Sequence, residues 1–381
     1  MIPLSVPFLN GNESKYVSEC INSGWISSSG SYVNIFEKKV ASYVGAKYGV
    51  ACMNGTVGLQ VSLIISGIKK SDYVLVPNLT FVASLNAIKY TGAEPILIDA
   101  NQNNWQIDLD ILETFLNTKT SQKNFDGKKY CVLNEDQRII KCLMPVHVLG
   151  NMCDMQRLIL IAKEHNLLVI EDSTEALGSY FKNKHAGTFG KIGVFSFNGN
   201  KIISTGGGGM MVTDDYKLAK KAKHLTTQAK ISKTEYIHDE VGYNYRLVNI
   251  LAAVGVAQME NFSDILIRKK NIDSFYRKKL NGLGDISFQT IESNVKNNCW
   301  LFTFKTNKSK DLINHLNSNA IEARPFWMPM NQLSMFENYT YLTKNNVSNS
   351  LYETCISIPC SSGISNNELE MVFSQIKNFY K

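Results

Sequence analysis

The chain has no Cys-x-x-Cys pair, and its 8 cysteines are thinly spread over 381 residues. A zinc ribbon, a thioredoxin-type site and a disulfide scaffold are therefore disfavoured, and no metal site is expected. The cysteines read instead as reduced thiols of a cytoplasmic protein. No apolar run approaches the ~18 residues needed to span a bilayer, so no membrane partner is expected. Met1 to Pro7 lacks the basic and apolar regions of a signal peptide. No Lys/Arg stripe alternates with aromatics, which argues against nucleic acid. Charge of one sign is also scarce: Lys+Arg 40 against Asp+Glu 33 leaves a formal net charge of +7. That excess suits solvated surface, with mild attraction for anionic small molecules as the sharper reading. What is present is ordinary globular matter, 44% hydrophobic and 19% charged, enough for about two domains.

The first two-thirds alternates short apolar runs with amphipathic stretches. Tyr48 to Cys52, Tyr73 to Pro77, Pro95 to Asp99, Cys142 to Val148, Leu167 to Glu171 and Ile192 to Phe197 have the pattern of strands buried on both faces. Helical patterns such as Thr56 to Ser66, Thr80 to Thr91 and Met155 to His165 lie between them. This alternation predicts an α/β fold with a mostly parallel sheet. Thr118 to Lys141 is polar and carries the turn signal Asp126-Gly127, so it reads as an inserted excursion or hairpin. From about Gly255 the character changes to long Lys/Asn-rich helical patterns around few strands, Asn298 to Phe304 and Cys355 to Pro359 among them. The division is expected at 1–250, a large domain, and 251–381, a small α+β domain.

Ligands of open α/β sheets bind at the carboxyl ends of strands. After Tyr48 to Cys52 comes Asn54-Gly55-Thr56. Gly55 permits close backbone approach and Thr56 reads as a helix N-cap, together a phosphate cup or an ordinary capped turn. After Leu167 to Ile170 comes Glu171-Asp172. Asp172 reads either as a cap for the next helix or as a carboxylate aimed at a protonated ligand nitrogen. After Val194 to Phe197 come Asn198-Gly199-Asn200-Lys201 and the run Gly206 to Gly209. A desolvated lysine becomes a usable amine nucleophile. A phosphate, a basic ring nitrogen and an aldehyde for Lys201 together describe pyridoxal 5′-phosphate.

These motifs resemble the DegT/DnrJ/EryC1/StrS sugar aminotransferases nearly end to end. The carriers include Gly24 to Ser28, Asn54 to Leu59, Pro77 to Ser84 and Pro145-Val146-His147, followed by Glu171 to Gly178, Phe195 to Lys201, Gly242 to Arg246 and Arg324-Pro325. The resemblance implies the aspartate aminotransferase-like architecture of fold type I, with a mostly parallel seven-stranded sheet and helices on both faces. It implies Lys201 as the cofactor's covalent anchor and proton shuttle, and Asp172 as the partner of its ring nitrogen. Gly55, Thr56 and Ser196 would hold the phosphate, Phe81 would stack on the ring, and Glu175 would lie near its 3′-oxygen. Asn244 would reach the phosphate of a partner subunit, making the enzyme a homodimer with shared sites. Trp25 would pack a dimer interface or line the nucleotide site, and Arg324 would contact a substrate phosphate. His147 is expected to be structural and His185 exposed. The family commonly has an acid where this chain has Gly207.

The implied reaction moves the amino group of L-glutamate to a keto carbon of a nucleotide-linked deoxysugar. The 118–141 excursion and Arg324 to Trp327 resemble the branch acting on UDP-linked 4-keto sugars for legionaminic acid or bacillosamine. A GDP- or dTDP-linked keto sugar, a free keto sugar acid or a cyclitol are alternative acceptors. Sugar dehydratases of the same fold carry His at the lysine position, so Lys201 argues against that activity. A non-catalytic regulatory protein that binds the cofactor is the reading from another class.

Overall fold

The computed structural model describes residues 1–232 and 234–381. Seven strands run side by side in the order Tyr48–Cys52, Gly209–Thr213, Ile192–Ser196, Leu168–Asp172, Ile139–Leu143, Tyr73–Pro77 and Glu94–Ile98. Only Gly209–Thr213 in this row runs against its neighbours; the other pairings are parallel. Alternate strand residues serve opposite faces. Val74 and Val76 join the cluster containing Leu59, Leu63 and Ile88, while Leu75 joins Leu112, Phe115 and Leu158 on the other side. Helices thus cover both faces, which is why these strands read as unbroken apolar runs.

The sheet is ten-stranded, not seven-stranded as expected. Thr120–Phe125 and Lys128–Leu133 pair antiparallel around Asp126-Gly127, and the second of them continues onto the start of Ile139–Leu143. Both turn residues have positive φ, 50° and 75°, as a tight two-residue hairpin requires. The tenth strand, Tyr341–Leu342, returns from the last third of the chain to extend the sheet beside Glu94–Ile98.

A separate three-stranded sheet, of Phe302–Lys305, Cys355–Ile358 and Arg324–Pro325, packs against helices Phe262–Leu280, Ser309–Ser318 and Asn366–Phe379. Phe304, Leu316, Ile358 and Val372 are buried in its core. The amino-terminal arm joins this unit: Ile2 bridges Ile321, and Leu4 N donates to Glu322 Oε2. Among the described residues no single helix is long and apolar enough to cross a membrane.

Candidate active site

The parallel arrangement brings Cys52, Asp172 and Ser196, each the last residue of a strand, to one edge of the sheet. The helix Gly55–Ile65 begins there. Its cap is Asn54 and not Thr56: Asn54 is extended, and its side chain accepts from Val57 N at 3.0 Å. Thr56 lies inside the first turn and faces the cavity. The leading N–H groups of a helix have no intrahelical acceptor, and the dipole favours an anion beside them. A Cβ at Gly55 would lie 2.9 Å from Thr174 Cγ2 and 3.1 Å from Ser196 Cβ, so this approach needs glycine.

Asp172 is buried, and no helix follows it to be capped. Its Oδ2 accepts from Ser84 Oγ at 2.6 Å and its Oδ1 from Thr174 N at 3.2 Å. Thr80 Oγ1 lies 2.9 Å from Ser84 Oγ. A carboxylate at the end of an apolar strand is tolerable only with such partners.

Lys201 Nζ lies 3.8 Å from Glu175 Oε1. Burial pushes the Glu175 carboxyl up to about 7 and the Lys201 amine down from its ordinary value. Their mutual attraction opposes both shifts and is outweighed by desolvation. Glu175 Oε2 accepts from Leu149 N at 2.8 Å, which fixes the carboxylate.

These groups line one cavity of ≈ 450 Å³, within the size range of small-molecule sites. Gly55, Thr56 and Ser196 lie on its wall with Asp172, Glu175 and Lys201, as do Phe81 and Arg324. Two expected residues lie elsewhere. Asn244 is exposed, on the segment that bridges to Cys52 through Arg246, and does not line the cavity. Trp25 is exposed and lines a separate depression with Tyr32, Ile35 and Asn249.

The donor set fits pyridoxal phosphate. A glycine-lined helix end faces two hydroxyl-bearing residues, a buried carboxylate is aimed into the cavity, and a desolvated amine stands on the same wall. The model of the DegT/DnrJ/EryC1/StrS aminotransferase family matches residues 7–377.

The chain belongs to this family.

It is a sugar aminotransferase, and its cofactor is pyridoxal 5′-phosphate. A GDP-perosamine synthase of Escherichia coli O157:H7 is 38% identical, covering 100% of this chain and 98% of the relative. One from Vibrio cholerae is 34% identical, covering 100% and 99%. A DegT/DnrJ/EryC1/StrS aminotransferase from Brucella abortus shares the fold, with a TM-score of 0.88 at 24% identity over 97% of this chain and 95% of that one.

The aminotransferase departs from expectation at His185. It is buried, with Nε2 accepting from Gly178 N at 2.8 Å and its ring against Tyr180 and Phe195. A loop rich in Gly and Lys reads as exposed, but this one folds back onto the strand Ile192–Ser196. Burial pushes His185 down to about 4. His147 is buried with Nε2 2.9 Å from Glu171 Oε2, and Glu171 also accepts from Gly187, Phe189 and Gly190 N–H groups.

Of the four glycines after the lysine loop, Gly206 has φ +80°, and a Cβ at Gly208 or Gly209 would meet atoms at 2.4 or 2.5 Å. Gly207 is open, with nothing nearer than Met53 O at 3.9 Å, so the acid common there in the family has room.

Sequence reasoning missed Ser84 and Trp300. Ser84 lay inside a quoted motif with no charge to mark it. Trp300 lay in an apolar run that signals only a strand.

Proposed function

We propose that this aminotransferase moves the amino group of L-glutamate to the keto carbon of a GDP-linked deoxysugar, giving an amino sugar of the perosamine type. The observation that carries the acceptor is that three full-length relatives, 34–38% identical, are GDP-perosamine synthases; a fourth, at 33%, is a putative pyridoxal phosphate-dependent aminotransferase whose name gives no acceptor. The UDP-linked acceptor expected from the 118–141 excursion and from Arg324 to Trp327 has no such support, and the GDP-linked alternative replaces it. The enzyme would serve surface-glycan synthesis in the cytoplasm, as a homodimer; each chain would divide into two domains near residue 250, with the amino-terminal arm and Tyr341–Leu342 crossing between them.

Pyridoxal phosphate, when bound, supplies an aldehyde to take the amino group and a ring that withdraws electrons from the bond being broken. In this reading the helix end at Gly55 and Thr56, with Ser196, holds the phosphate, and Phe81 covers the ring. Asp172, oriented by Ser84, keeps a proton on the ring nitrogen. The Lys201 amine would take a proton from the donor's carbon and deliver it to the cofactor carbon that receives the amino group, and would run the transfer in reverse for the acceptor, which requires a lowered pKa. Glu175 orients the ring oxygen beside it. Arg324 donates to Glu322 through Nε at 2.8 Å and is otherwise exposed at the cavity mouth, where a diphosphate can reach it. Asn244 completes the phosphate site of a second copy.

The test is a visible spectrum with and without L-glutamate, followed by acceptor trials. The expected result is a yellow band that fades with glutamate and disappears in Lys201→Ala. Turnover is then expected with a GDP-linked keto sugar and about 100-fold less with its UDP-linked counterpart, roughly the contribution of two lost base hydrogen bonds. Equal rates on both would remove the GDP assignment, and turnover by Lys201→Ala would remove the mechanism.

A further inference from the structure

We propose that Trp300 is a positioning residue for Lys201, its indole N–H fixing the lysine loop and its ring face seating the ammonium group. The inference rests on reading Lys201 as the amine that binds the cofactor.

Trp300 belongs to the last third of the chain, yet it is buried against the lysine loop of the large sheet. Its Nε1–H donates to the carbonyl of Asn200, the residue before Lys201, at 2.8 Å. Its ring centroid lies 4.3 Å from Lys201 Nζ, within the reach of a cation–π contact. One side chain thus holds both the backbone and the tip of the same lysine.

Trp300 is itself held from the site. Asn298 Oδ1 accepts from Trp300 N at 3.0 Å, while Asn298 Nδ2 donates to Glu175 O at 2.7 Å and to Leu177 O at 2.9 Å. Asn298 therefore sets the spacing between the two residues that contact the Lys201 amine, Glu175 and Trp300. Cys299 between them has φ +57°, a left-handed conformation that a non-glycine residue adopts only when its surroundings impose it. The kink places Trp300 over the lysine and not in line with the strand Phe302–Lys305.

The two effects differ in sign. A π face favours the ammonium, so it raises the pH at which the amine becomes free. Desolvation works the other way on Lys201, and Glu175 and Asp172 support the charged form. Arg324 shares the front cavity with Lys201, and Lys269 lines the narrow space behind it. These groups remain when Trp300 is replaced.

Cofactor capture without any sugar separates this role from substrate binding. In capture the Lys201 Nζ lone pair bonds the aldehyde carbon, and the carbonyl oxygen leaves as water. Full-length apoprotein is mixed with pyridoxal phosphate across about pH 6 to 10, a span reaching well below the ordinary lysine value. Borohydride then fixes the linkage, and peptide mass spectrometry reads the modified Lys201. Trp300→Leu is expected to lower the high-pH capture rate about 3-fold or more, and to move the pH midpoint down by about 0.5 to 1. Trp300→Phe keeps the ring face, so its midpoint stays while its high-pH rate falls. A Trp300→Leu midpoint at or above that of wild type overturns the proposal, because loss of packing alone admits water, which leaves the midpoint in place or raises it. If Trp300→Leu does not fold, Trp300→Phe decides: a lowered rate at an unchanged midpoint supports the proposal, and a wild-type rate overturns it. Wild-type protein left unmodified at Lys201 would overturn the site reading itself, which is a separate result.

Discussion

Two residues of opposite charge, the buried Glu175 and the largely buried Lys201, are each shifted toward neutrality by desolvation. The linkage to stability follows from the sign for Glu175. Its folded value of about 7 lies above the ordinary 4.5, so the folded state holds an extra proton between those pH values. Its contribution is complete below the unfolded value and is lost as pH rises through the folded one. Glu175→Gln removes that loss. We predict that the variant's thermal midpoint, relative to wild type, is higher at pH 8 than at pH 5, by about 2 °C or more. Melts at the two pH values check this, and an equal difference at both would show that Glu175 does not titrate there. Ser84 makes a second prediction at this scale. Ser84→Ala removes the 2.6 Å bond to Asp172 and leaves Thr80 without that neighbour. The expected loss is about 1–3 kcal/mol in urea unfolding, with weaker cofactor retention. Unchanged retention would limit Ser84 to a structural role.

At the scale of elements, the turn from Cys52 into Gly55–Ile65 is a tightly fitted piece of backbone in the site. A methyl group at Gly55 has no room beside Thr174 and Ser196. Gly55→Ala is therefore expected to weaken pyridoxal phosphate binding about 10-fold and to destabilise the fold by about 1–3 kcal/mol. Absorbance titration and urea unfolding read the two separately, and full affinity in this variant would count against the phosphate cradle. The same turn shows how much was legible in sequence. Strands Tyr48–Cys52, Tyr73–Pro77 and Leu168–Asp172 are visible as apolar runs because both sheet faces are covered. Asp172 and Lys201 are visible because charge at the end of such a run demands a reason. Asn54 was harder to identify, since two neighbouring polar residues can each cap a helix and only the backbone decides. Tyr341–Leu342 could not be read at all: two residues carry no periodicity, and their partner lies more than two hundred residues away. His185 was misread because burial of the 180s loop depends on tertiary contact with Phe195, which no local pattern records. Trp300 was missed for a related reason, as its partners Asn200 and Lys201 lie in a loop about a hundred residues earlier in the chain.

At the scale of the whole molecule, the single chain presents a site with one side open. Phe81, on the cavity wall, is 53% exposed. Trp25 and Asn244 are exposed as well, and neither reaches its own cavity. A second copy seated on this face would cover Phe81 and supply Asn244 from across the interface, an isologous arrangement in which each chain completes the other. Complementation between two inactive variants tests it. Lys201→Ala lacks the amine, and Asn244→Ala lacks the proposed phosphate contact. In a mixed dimer one site combines both lesions, while the other has an intact lysine from one chain and an intact asparagine from its partner. Random assortment makes half of the dimers mixed, so co-refolded variants should recover about one quarter of wild-type activity from two nearly inactive parents. If each site is built from one chain, every site in the mixture keeps a lesion, and the activity stays at the mean of the parents.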